Sequence, residues 1–186
     1  MKHLTILLLF ITITNVNSFG KDDYKYGKIM PEELSEKYYK TDSLTGAAFL
    51  YNIGETETII NHSTFGLNTI YTKRAKIKIY DKNALSLANQ TYVLYNEKFS
   101  GNDIAISSIK GKTYNMENGK IVEYELPKSA VRLDRLDDYH DIVHIAFNNV
   151  REGSIIEYEI KLNIPGVSIP DWYFQERYPV KYSEFL

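Results

Sequence analysis

Two stretches alternate apolar and polar residues with a period of two, and this limits the fold more than any other feature of the chain. In "IYTKRAKIKIY", Tyr71, Ala75, Ile77 and Ile79 fall on one side and Thr72, Arg74, Lys76 and Lys78 on the other. In "SIIEYEIKL", Ile156, Tyr158, Ile160 and Leu162 alternate with Glu157, Glu159 and Lys161. Successive side chains of a strand point to opposite faces, so each stretch reads as a half-buried β-strand. The expected outer faces are basic at Arg74, Lys76 and Lys78 and acidic at Glu157 and Glu159. A row of lysines on a strand reads as a solvated face or as a guard against edge pairing. Lys73 interrupts the apolar side and is expected at its edge.

Other segments carry the same signature. "GAAFLYN" (Gly46 to Asn52) is a compact apolar run with turn residues beyond it. Asp81 to Asn83 make a turn, after which "LSLANQTYVLY" returns. In "IAISSIKGKTYNMENGKIVEYEL", two β-type runs flank Asn118-Gly119, and both residues tolerate the positive φ of a type I′ hairpin turn. Gly111 is expected to mark a bulge. Val122, Tyr124 and Leu126 share one face, with Glu123 and Glu125 on the other. "IVHIAF" and "SIIEYEIKL" read as a further hairpin joined by "NNVREG", set off by the polar stretch "DRLDDYHD". Before all of these, "PEELSEKYYK" predicts a short helix, with Pro31 at a first helical position and Glu32 and Glu33 at its positive end. The result is seven or so strands and one short N-terminal helix. The fold expected is mainly β, an antiparallel β-sandwich or curved open sheet. The 16 tyrosines fit, since a tyrosine ring packs on a pleated face while its hydroxyl reaches water.

"MKHLTILLLFITITNVNSFG" has a short basic start, an apolar run from Leu4 to Ile13, and small residues at Val16 and Ser18. It reads as a signal peptide over residues 1–18, cut after Ser18, and the run is too short for a bilayer span. A lead-in with the short helix is expected over residues 19–45, and the antiparallel β domain over 46–186. An exported protein, periplasmic or extracellular, follows, with no membrane span once the leader is cleaved. A net charge of −2 gives no electrostatic drive toward nucleic acid. The chain has no cysteine, which excludes disulfides, a thiol nucleophile and cysteine-containing zinc sites.

His140 and His144 stand four apart, but on a strand that spacing separates them by about 13 Å, too far for one ion. They read as a surface or edge pair. Asp134, Asp137, Asp138 and Asp141 lack the spacing of a calcium loop and read as a solvated loop with local ion pairing. Glu123, Glu125, Glu157 and Glu159 could approach one another as a glycosidase pair does, but with no sign of a cleft. Ser107-Ser108 has no histidine and acid directed to it. Asn61-His62-Ser63 and Asn89-Gln90-Thr91 match glycosylation sequons, which by themselves assign no function. "DWYFQERYPVKYSEF" contains the only tryptophan. Trp172, Phe174 and Tyr178 are expected to pack on the preceding hairpin; the alternative is a stacking platform for a polysaccharide or peptide.

Four stretches in order carry a family resemblance. They are "PEELSEKYYKTDSLTGAAFLYNIG", "RAKIKIYDKNAL", "IKGKTYNMENGKIVEYEL", and "FNNVREGSIIEYEIKLNIP" leading into "DWYFQERYPVKYSEF". The chain resembles the family named domain of unknown function 3857, whose members are exported bacterial proteins in which this β-rich module precedes a transglutaminase-like domain. The resemblance implies a non-catalytic interaction or scaffolding unit without a cofactor. Its partner would be a downstream transglutaminase-like domain or another exported protein. Any chemistry would belong to that following domain, which uses a cysteine, a histidine and an aspartate. Relatives continue with more strand, so a truncated member or a fragment is expected, with its closing strand missing and one sheet edge unpaired. The alternative is a free-standing polysaccharide- or peptide-binding protein.

Overall fold

The computed structural model describes residues 24–62, 65–96 and 103–186. The signal-peptide reading lies outside them. Among the described residues, nine strands follow one five-residue α-helix, α1 (Pro31–Ser35). They are β1 (Ala47–Asn61), β2 (Gly66–Ile79), β3 (Asn89–Tyr95), β4 (Ala105–Glu117), β5 (Lys120–Glu125), β6 (Val131–Arg135), β7 (His140–Ala146), β8 (Ile155–Pro165) and β9 (Ser183–Phe185). A six-stranded sheet has the order β5-β4-β8-β2-β1-β9, and a three-stranded sheet the order β3-β7-β6. All pairings are antiparallel except β9, which runs parallel to β1 at Asn52–Gly54. The fold is mainly β, as the alternation requires.

The expected hairpin turn is present. Asn118 (φ 50) and Gly119 (φ 75) form the two-residue turn between β4 and β5. Other expectations are corrected. β1 does not stop near Asn52 but continues to Asn61, because β2 is long enough to pair with it throughout. β7 and β8 are not a hairpin: β7 pairs with β3 and β6, and β8 with β2 and β4, so the "NNVREG" connection crosses between sheets. The polar stretch "DRLDDYHD" is not a spacer but contains part of β6 and its turn into β7. The bulge in β4 falls between Ile106 and Ser108. Gly111 instead makes room for a ring, since a Cβ there would lie 2.6 Å from Phe147.

The two sheets face each other across the main core. Ala75, Ile77, Ile156, Tyr158 and Ile160 of the large sheet meet Leu94, Val143 and Ile145 of the small one. The part of the opposite face around Lys76, Lys78 and Glu157 is also covered. The lead-in segment crosses it, and Leu34 of α1 joins Leu50, Tyr114 and Ile155 in a second cluster. This overturns the expectation of a solvated basic face. Lys76 is 1% exposed and Lys78 0%, and β2 is central rather than an edge. Glu157, expected on an outer face, is fully buried as well. A strand covered on both sides alternates in the same way as one covered on a single side when one of its faces is an ionic interior.

Candidate functional site

The buried charges under the lead-in form one network. Glu157 Oε1 accepts from the Tyr51 hydroxyl at 2.6 Å, and Oε2 from the Tyr114 hydroxyl at 2.7 Å and the Gly27 N–H at 2.9 Å. Lys76 Nζ lies 3.7 Å from Glu157 and 3.5 Å from Glu33, and donates to the Lys28 carbonyl at 2.5 Å. Lys78 donates to the Leu34 and Gly153 carbonyls, each at 2.7 Å. Tyr80 donates to Glu36 at 2.9 Å. Three alternate residues of one strand and its end therefore pin the lead-in in succession. Burial, and then the Glu157 charge, push the Tyr51 and Tyr114 hydroxyls far above the ordinary tyrosine range, so both remain donors. Every oxygen of Glu157 is occupied from within the fold. Such a carboxylate ties β8 to β1, β4 and the lead-in.

A different arrangement lies between the sheets. Lys73 points to the side opposite Lys76 and faces a cavity of about 260 Å³. Tyr92 of β3, Tyr158 of β8, Tyr178 and Glu176 also line it. Lys73 Nζ lies 3.7 Å from Glu176 and over the rings of Tyr92 at 5.9 Å and Trp172 at 5.6 Å. Burial lowers its pKa against the opposing pull of Glu176. Burial and then Glu176 push Tyr71, on the same face of β2, up to about 12. Asn52 Nδ2 donates to Glu176 at 3.3 Å, steadying it from β1.

The three aromatics singled out from the sequence separate here. Trp172 does not pack on the preceding hairpin but on β1 and β9. Its ring reaches Gly54, where a Cβ would lie 2.7 Å away, and sits 5.5 Å from the Phe185 ring. Its Nε1 donates to Ser183 Oγ at 3.2 Å. Gly54 is the reason: only a residue without a side chain leaves space for two rings on that strand. Tyr178 packs on the main core and lines the cavity. Phe174 is 56% exposed. The structure thus gathers Trp172 and Tyr178 around Lys73 and leaves Phe174 outside. Lys73, Glu176, Tyr92 and Tyr158 were not singled out as a site. The available signal was Lys73 itself, the one charge on the apolar side of its strand.

The remaining candidates are dispersed. His140 pairs with Asp137 at 2.9 Å and His144 with Asp134 at 3.4 Å, each with its own carboxylate. Asp141 accepts from Arg135 and Asn96. Among the described residues no group of three or more His, Asp or Glu side chains could hold a metal. Glu123 and Glu125 both pair with Lys112. Ser107 and Ser108 lie at the β4 bulge, and Asn89 and Thr91 on β3.

No family model and no curated protein matches this chain. Among solved structures it is similar to a "putative protease" from Parabacteroides distasonis, with a TM-score of 0.50 and 15% identity. The match covers 73% of this chain and 27% of that one, so the chain spans about a quarter of the longer protein. At that identity the likeness is one of fold: a layered β-unit that also occurs as part of a larger protein.

Proposed function

We propose that this chain is a non-catalytic, exported β-module that binds a protein partner, of the kind that precedes transglutaminase-like domains in the family it resembles. One observation carries the reading. The segment between β8 and β9 presents Val167, Ile169, Tyr173 and Phe174 at 66%, 74%, 70% and 56% exposure. Trp172 anchors that segment from within. Large apolar side chains held outward by a fixed anchor are the makings of a protein contact. The fold likeness to one portion of a longer protein supports a unit that works beside another domain. The partner that fits is a following transglutaminase-like domain.

The test is calorimetric titration of the protein with a separately produced transglutaminase-like domain from a family relative. Saturable binding is expected. Replacing Tyr173 and Phe174 together by alanine should weaken it at least about tenfold without changing the circular dichroism. Absence of saturable binding, or turnover of a peptide or glycan substrate by this chain alone, overturns the proposal. A second reading, a free-standing binder of polysaccharide or peptide, is favoured by the cavity at Lys73.

A further inference from the structure

Strand β2 carries three lysines, and the fold treats them differently. Lys76 and Lys78 are buried, and each makes at least one short hydrogen bond to a carbonyl. Lys73 is also removed from most solvent, with 18% of its side chain exposed, yet the Glu176 carboxylate that it faces stands at 3.7 Å. An ammonium carries three donors, and burying it without strong acceptors is costly. The lysine of β2 that faces its carboxylate at this longer distance is also the one beside an open cavity.

The surroundings define what would complete it. A single lysine, with Arg177 at the cavity lining, suits a monovalent anion better than a phosphate, which calls for several converging donors. Phe49, Leu87 and the tyrosines supply apolar walls, and Gln90 and Thr91 supply polar groups near them. Glu176 sits on an exposed segment and brings a carboxylate toward Lys73 from the chain itself.

From this geometry we infer that the cavity between the sheets binds the carboxylate of a small ligand with an apolar body, with Lys73 as its counter-ion and Glu176 as an internal stand-in. A peptide C-terminus and a free organic acid share that chemistry. The site deepens the second reading above and is separate from the Tyr173 and Phe174 surface. Lowering of the Lys73 pKa by burial agrees with an ammonium that gains from an added anion.

Trp172 is the only tryptophan and stands 5.6 Å from Lys73, so its fluorescence reports on the site. The probes are N-acetyl-alanyl-phenylalanine with a free carboxylate, the same dipeptide as its amide, and phenylbutyrate. At least one of the two acids should give saturable quenching or a spectral shift. The amide should bind at least about tenfold more weakly than the acid dipeptide. Lys73→Met should lose acid binding, and Glu176→Gln should bind the acid several-fold more tightly by removing the competitor. Phe174→Ala should bind the probes as the wild type does, which separates failure here from failure of the partner surface. Preference for the dipeptide identifies a peptide terminus as the source, and preference for phenylbutyrate identifies a free acid. If Lys73→Met does not fold, the acid–amide comparison and Glu176→Gln still decide. Equal binding of acid and amide, unchanged affinity in Glu176→Gln, or no saturable binding of either acid overturns the inference.

Discussion

Glu157 and Lys76 face each other 3.7 Å apart across the paired strands β8 and β2, with side-chain exposures of 0% and 1%. They are directly opposite in register, and the next pair along, Glu159 and Arg74, is opposite too. Lys112 and Lys110 of β4 stand opposite Glu157 and Glu159 on the other side. Two rows of alternating charge therefore cross the sheet, and the lead-in segment closes over the one that runs through Glu157.

Removing Glu157 leaves several buried donors without their acceptor. Glu157→Ala should cost about 3–5 kcal/mol in urea unfolding, because the Tyr51 and Tyr114 hydroxyls and the Gly27 N–H lose their carboxylate and Lys76 keeps only Glu33. Glu157→Gln should cost less, since an amide oxygen still accepts from one tyrosine. Glu123→Ala, at a half-exposed carboxylate, should stay within about 0.5 kcal/mol. Equal effects at Glu157 and Glu123 would contradict a buried network.

Stability should peak at alkaline pH. Burial lowers the pKa of Lys78 from 10.5 to about 8, against the pull of Glu36 and Glu33. Between those values the unfolded chain binds the proton more tightly than the folded one, so stability rises with pH across that window. The gain is on the order of 1–3 kcal/mol. Tyr51, Tyr80 and Tyr114 act oppositely, because the fold holds them protonated while the unfolded chain ionises near 10.0. Above that pH stability should fall. Urea midpoints measured across this range should rise and then drop in the wild type, and Lys78→Met should lose the rise but keep the drop.

Gly54 admits the tail. A methyl group there would lie 2.6 Å from Phe185 and 2.7 Å from Trp172. Gly54→Ala should destabilise by about 1–3 kcal/mol through overpacking. It should also move Trp172 emission to the red and speed tryptic cleavage at Arg177 and Lys181. An unchanged emission spectrum would mean that Trp172 does not rest on β1.

Trp172 and Phe174 should separate by readout. Trp172→Ala should lower stability by about 2–3 kcal/mol, the discounted cost of a half-buried indole. Phe174→Ala should leave stability within about 0.5 kcal/mol and weaken only partner binding. Thermal and urea unfolding of both variants checks this.

The strands and the Asn118-Gly119 turn were legible because backbone alternation and positive φ are local demands. What covers each face was not local. Lys76 and Lys78 read as a solvated row because charge at period two normally marks water. The cover comes from residues 24–36, far away in sequence, and is held by carbonyls that carry no residue signature. One clue was present: "RAK" in one strand and "EYE" in another are complementary if the strands are neighbours. Neighbourhood itself, like the shift of β7 into the small sheet, depends on long-range pairing. The Lys73 cavity stayed hidden for the same reason, since its walls come from β1, β2, the connection before β3, β3, β8 and residues 176–178.

Mass-spectrometric measurement of lysine acetylation rates on the native protein tests the account most directly. Lys76 and Lys78 should resist modification until the fold opens. Lys110, with 60% of its side chain exposed, should react at once. Lys73 should react at an intermediate rate that falls when N-acetyl-alanyl-phenylalanine is added. Modification of Lys76 and Lys78 as fast as Lys110 would mean that the basic side of β2 faces water, and the buried ionic interior would be wrong.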